Sequence, residues 1–101
     1  MPASDSRPGP PGHLSKKAAD LWRSIVDRYE LEDEELATLT LALEASDIAQ
    51  TARRTLGREG QMLEDRFGQT KPHPAIQVHR DALASLARLT SQLGIPAEPA
   101  T

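Results

Sequence analysis

The stretch from Glu34 to Leu56 constrains this chain more than any other. At about 100° per residue, Leu36, Leu39, Thr40 and Leu43 fall on one face of a helix. Leu41, Ala45, Ile48, Ala52 and Leu56 fall roughly opposite. A helix that is apolar on two sides needs cover on two sides. The pattern predicts a helix over 34–56, opened by Asp33 as its cap and ending before Gly57. One face packs within the chain; the other, Leu41, Ala45, Ile48, Ala52 and Leu56, is expected to meet a partner chain. After Leu43 the first face continues as Asp47, Thr51, Arg54 and Arg58. Arg54 and Arg58 are four apart and share a face if the helix persists. With Arg53 they give the helix a basic end. Such cations complement the helix dipole, and they can equally contact phosphates; the residues leave both readings open.

Two further helical segments supply the inner cover. The first runs from about Ser15 to Tyr29, with Ser15 a good N-cap. Its Ala18, Leu21, Trp22, Ile25, Val26 and Tyr29 follow amphipathic spacing, which core packing alone explains, although Trp22 and Tyr29 would also suit a subunit interface. The last begins at His73-Pro74. Proline fits the first helical position, which puts His73 at the cap. Its apolar set is Ala75, Ile76, Val78, Ala82, Leu83, Leu86, Leu89 and Leu93, and Gly94-Ile95-Pro96 forms a stop: Gly94 suits a left-handed position, Ile95 folds back and Pro96 blocks continuation. Between helices two and three, Gly57, Gly60 and Gly68 punctuate a stretch that suits a short β-hairpin or an irregular loop.

The chain has 101 residues, and both ends read as tails. Residues 1–12 hold four prolines and no large apolar side chain beyond Met1, and residues 96–101 are similar. Neither can bury enough apolar surface to offset its ordering entropy. A flexible arm, a single helical domain over 13–95 and a short tail are expected. Roughly 80 residues is a small core, and oligomerisation commonly supports cores of that size. The fold class expected is mostly α: a short N-terminal helix followed by a long helical hairpin.

The net charge of −3 is unevenly spread. Residues 1–26 carry +2, residues 27–50 carry −7 and residues 51–80 carry +3. That alternation permits local DNA contact on an acidic chain without requiring it. The candidate phosphate contacts are Arg7, Lys16, Lys17 and Arg23 near the N-terminus, and Arg53, Arg54 and Arg58.

Much chemistry is excluded or disfavoured. With no cysteine there are no disulfides and no thiolate metal sites. No stretch approaches a membrane span, and the N-terminus has no signal-peptide core, so a cytoplasmic protein with no membrane partner is expected. There is no GxxxxGK[ST] loop, so no cofactor and no nucleotide hydrolysis are expected. His73 and His79 are six apart and lie about 240° apart on a helix, where a zinc pair wants i, i+4. His79 falls in the apolar sector, and His13 stands alone. The acidic run Glu30 to Glu35 is better read as capping than as a divalent-ion site. No catalytic set emerges, and no enzyme is expected.

The order of these features carries a resemblance. A Pro/Gly-rich arm leads into a helix with Leu21-Trp22. A long helix opened by Asp33 follows, then a glycine-punctuated turn, then "HPAIQVHRDALASLARLTSQLGI". Over residues 10–96 this resembles the small subunit of double-stranded-DNA phage terminases, in a short form. The resemblance implies a homo-oligomeric ring that recognises the packaging-initiation site on phage DNA. It also implies regulation of a large subunit that carries the ATPase and nuclease, in the cytoplasm of an infected bacterium. Family members are often longer, with a distinct N-terminal helix-turn-helix for DNA; here no separate DNA-binding domain is expected ahead of the helical hairpin, and whether the first two helices form a helix-turn-helix-like unit stays open. The residues also fit a second reading, a helical adaptor that binds another protein and not DNA.

Overall fold

In the computed structural model, residues 8–94 are described. They form α1 (Lys16–Arg28), α2 (Asp33–Glu59), β1 (Met62–Glu64), β2 (Thr70–Pro72) and α3 (Pro74–Leu93). The chain is mostly helical, with a two-stranded antiparallel β-hairpin between the second and third helices. Of the two possibilities the glycines allow there, the hairpin is the one formed.

Each helix starts where local hydrogen-bond chemistry starts it. Ser15 caps α1: its Oγ accepts from the Ala18 amide at 3.1 Å. His73 caps α3 through Nδ1, which accepts from the Ala75 amide at 3.0 Å, and Pro74 stands at the first position. Gly94 ends α3 with φ 72°, the left-handed cap expected. Ile95, Pro96 and the rest of the tail lie outside the described residues, as does Arg7.

α2 differs from expectation at both ends. Its cap is Glu32, not Asp33. Glu32 and Glu35 form a reciprocal capping box, with Glu35 Oε1 accepting from the Glu32 amide at 2.8 Å. Asp33 is the first helical residue, where it favours the dipole like the acids after it. At the other end the helix passes through Gly57 and stops at Gly60, with φ 82°. A glycine inside a helix costs about 1 kcal/mol but does not break it. Gly60, with its positive φ, supplies the turn expected of Gly57.

Two packings hold these elements. At one end α1 folds back on the first half of α2, burying Leu14, Ala18, Trp22, Leu39 and Leu43 together, with Leu93 of α3 packed against them. Trp22 is 3% exposed, which places it in the core and not at a subunit surface. Its indole nitrogen donates to the Pro8 carbonyl at 3.2 Å, so residues from Pro8 onward are tied to α1. The second packing is the α2–α3 hairpin. α2 buries Ala42, Ala45, Ala49 and Ala52, and α3 buries Ala75, Ala82 and Leu89. Those of α2 alternate in steps of three and four and those of α3 recur every seven, which draws one continuous seam down each helix. Small side chains at such a seam let the two backbones approach closely.

The seam corrects two assignments. Val78 and Leu83, placed in the apolar set of the third helix, are 46% and 45% exposed. They flank the alanine seam instead of filling it. Ala45 and Ala52, placed on the outer face of the second helix, are buried within the chain's own hairpin. From that outer set only Leu41 and Ile48 stand well exposed, at 53% and 50%. The result is a rod of 63 × 27 × 25 Å. Among the described residues, no helix is long and apolar enough to cross a membrane.

Candidate functional site

α1 runs antiparallel to α2, and a polar clamp fixes where it starts. Ser15 donates its backbone amide to Asp47 Oδ2 at 2.8 Å and its hydroxyl to Asp47 Oδ1 at 2.6 Å. One turn earlier on α2, Glu44 lies 2.6 Å from His13 Nε2. Asp47 follows Leu43 on the inner face of α2, so a polar group there needs partners, and Ser15 supplies them. The sequence carries that signal: an acid continuing an apolar stripe, and a serine cap elsewhere with donors to give.

The clamp sets the relation of the two predicted basic groups. Lys16 and Lys17 open α1 directly beside Asp47. Arg54 lies seven residues beyond Asp47 on α2, about 10 Å along the axis, and Arg58 one turn further. The first turn of α1 and the last turns of α2 therefore follow one another along one side of the rod. Lys16, Lys17, Arg53, Arg54 and Arg58 are all exposed. Arg23 is exposed too, but it lies further along α1 and is bound to Asp20 at 3.2 Å, which also takes Lys16 at 3.0 Å. Arg53 points to a different side from Arg54. It lines a groove with Leu56, Gly57, Gln61, Ile76 and His79. Arg58 lies 3.4 Å from Glu59. The acidic segment Asp27 to Glu35 lies at the other end of α2, a 27-residue helix about 40 Å long.

The basic end is built around His73. Its Nδ1 caps α3, and its Nε2 lies 2.8 Å from Glu59 Oε1 in the last turn of α2. Because Nδ1 accepts from the Ala75 amide, the ring proton sits on Nε2, facing the carboxylate. One side chain thus caps one helix and ties down the end of the other. The hydrogen bond from His73, with help from Arg58, holds the Glu59 carboxyl below its ordinary value, against a smaller opposing effect of burial. At the tip of the β-hairpin the Asp65 carboxyl is also held low. The Gln69 amide is the largest cause, and the Phe67 amide and Lys71 add to it. The His73–Glu59 pairing is not readable from the sequence, since residues 14 apart join only once the hairpin has folded.

Beside the line of Asp47, Thr51 and Arg54, the α2–α3 hairpin carries an apolar groove. Ile48, Ala52, Ala75 and Val78 line an open groove with Asp47, Thr51 and Thr55, and Leu41 continues it two turns earlier on α2. Among the described residues, no three His, Cys, Asp or Glu side chains are grouped to hold a metal ion.

A helical rod with a basic end, an acidic end and an uncovered apolar groove has the surfaces of a binding component. Comparison with known proteins places it more closely. The family model "Phage terminase, small subunit" matches residues 18–98, from α1 through the whole helical hairpin. The chain belongs to the phage terminase small-subunit family, and its place is in the machinery of phage genome packaging. No curated protein and no solved structure matches the chain.

Proposed function

We propose that this protein is the non-enzymatic DNA-recognition component of a phage terminase. It binds the packaging-initiation region of double-stranded phage DNA and regulates the large subunit that carries the ATPase and nuclease, in the cytoplasm of the infected bacterium. Family membership supports the packaging role. The observation that carries the DNA contact is the basic side of the rod: Lys16 and Lys17 at the start of α1, then Arg54 and Arg58 at the end of α2, set in line by the Ser15–Asp47 clamp. Arg54 and Arg58 stand about 30 Å or more along α2 from its acidic first turn.

One chain offers a modest basic patch on a molecule of net charge −3. A homo-oligomeric ring would repeat the patch once per copy, and phosphate contacts would then sum. The uncovered groove of Ile48 and Val78, with Leu41 beyond it, supports self-association. Among the described residues nothing in the chain covers it.

Changing Arg53, Arg54 and Arg58 together to Glu tests the DNA contact. All three are exposed, so the fold should survive, as circular dichroism would show. Duplex binding in a low-salt mobility-shift assay should fall by at least tenfold. Unchanged affinity would remove these arginines from the interface. If the wild-type protein bound no DNA at low salt, the adaptor reading would replace this one.

A further inference from the structure

All six residues of β1 and β2 are exposed. A two-stranded ribbon with no packed face is marginal in water, yet this one is held by a dense set of local bonds. Asp65 Oδ1 accepts from the amides of both Phe67 and Gln69 at 2.9 Å. Asp65 Oδ2 lies 3.4 Å from Lys71 Nζ. The Gly68 amide closes the turn on the Asp65 carbonyl at 3.0 Å, and Gly68 takes φ 78°, where a residue with a Cβ would be strained.

What this turn presents is Phe67, the only phenylalanine in the chain, 77% exposed. The guanidinium of Arg66 lies over its ring, 5.2 Å from the centroid. Neither side chain contributes to the core. The hairpin begins three residues after α2, at the same end of the rod as Arg54 and Arg58. Strand alternation and register put Leu63 and Lys71 on one face of the ribbon and Glu64 with Thr70 on the other. The one acid at the tip besides Glu64 is Asp65, whose carboxylate is already taken up by two amides and Lys71.

We propose that the hairpin tip is a nucleobase-contact site on double-stranded DNA. Phe67 wedges against a base step while Arg66 and Lys71 meet the flanking phosphates. An exposed ring on a rigid turn, flanked by cations, has the chemistry such a contact needs. The ring supplies a flat apolar face for the exposed edge of a base step, and the cations match the backbone charge. This inference rests on the DNA-binding reading above, and assigns to it a part of the surface separate from the arginines of α2.

The test uses the full chain and a fluorescently labelled duplex. Phe67→Ala should fold normally, since the ring is mostly in solvent, and should weaken binding by about fivefold or more, the loss expected for one aromatic–base contact. Arg66→Ala should reduce the salt dependence by about one phosphate's worth. Phe67→Trp, tested with an unlabelled duplex, should retain affinity and report the contact directly. The emission of the introduced indole should be quenched on adding DNA, while the buried Trp22 contributes a constant background. If Phe67→Ala bound DNA like the wild type, or the emission of the Phe67→Trp protein did not respond, this inference would fail while the wild-type DNA binding stood. If the wild type bound no duplex, both would fail together. A Phe67→Ala protein that kept full DNA affinity but lost capture by the large terminase subunit would also overturn it, and would make the tip a protein-docking site.

Discussion

At the residue scale, a few polar side chains each position two elements. Asp47 accepts two bonds from Ser15 and so decides where α1 lies on α2. His73 caps α3 with one nitrogen and reaches Glu59 of α2 with the other. Asp47→Ala should lower stability by about 1–2 kcal/mol, because it removes two hydrogen bonds to a charged acceptor. Urea denaturation would show it as an earlier midpoint with an unchanged slope. A midpoint equal to the wild type would mean that α1 is held by apolar packing alone. These residues are only half legible in the sequence. Ser15 and His73 are readable as caps because capping is local chemistry, settled within three residues. Their second partners are 32 and 14 residues away and emerge only with the tertiary fold.

At the element scale, the three helices and the fold class are legible from apolar spacing and from the punctuation of Ser15, Pro74 and Gly94. The boundaries of α2 are not, for two physical reasons. A glutamate capping box competes with the more familiar aspartate cap, and Gly57 in a helix held at both ends costs too little to end it. The seam escapes a reading of the sequence because alanine gives a weak hydrophobic signal. Grouping Ala45 and Ala52 with Leu41 and Ile48 assigns them to an outer face, whereas Ala42, Ala45, Ala49 and Ala52 are what α2 buries. Close packing at alanines predicts its own failure. Ala49→Leu would wedge α2 and α3 apart and should cost about 1–3 kcal/mol. Thermal unfolding would measure it, and an unchanged melting temperature would mean that the seam has room to spare. The predicted site is legible as a list of cations. Its arrangement is not, because the alignment of α1 with the end of α2 depends on the Ser15–Asp47 clamp.

At the scale of the whole molecule, the rod is 63 Å long and leaves a strip of Leu41, Ile48 and Val78 uncovered. An apolar strip of this kind on a small domain is an ordinary site of association. Ile48→Glu with Val78→Glu should leave the monomer folded, since both side chains are about half exposed, and should reduce the native mass toward that of one chain. Light scattering on a sizing column reads the outcome. An assembly of unchanged mass would place the contact elsewhere on the rod. DNA binding is argued at the same scale, since an acidic chain of net charge −3 binds a polyanion only by concentrating its cations on one side and repeating them. The most direct test is the affinity of the wild-type protein for duplex DNA as a function of salt. The account predicts clear binding at low salt that falls steeply and linearly on logarithmic axes, as counterion release requires. No binding at low salt, or binding indifferent to salt, would contradict it.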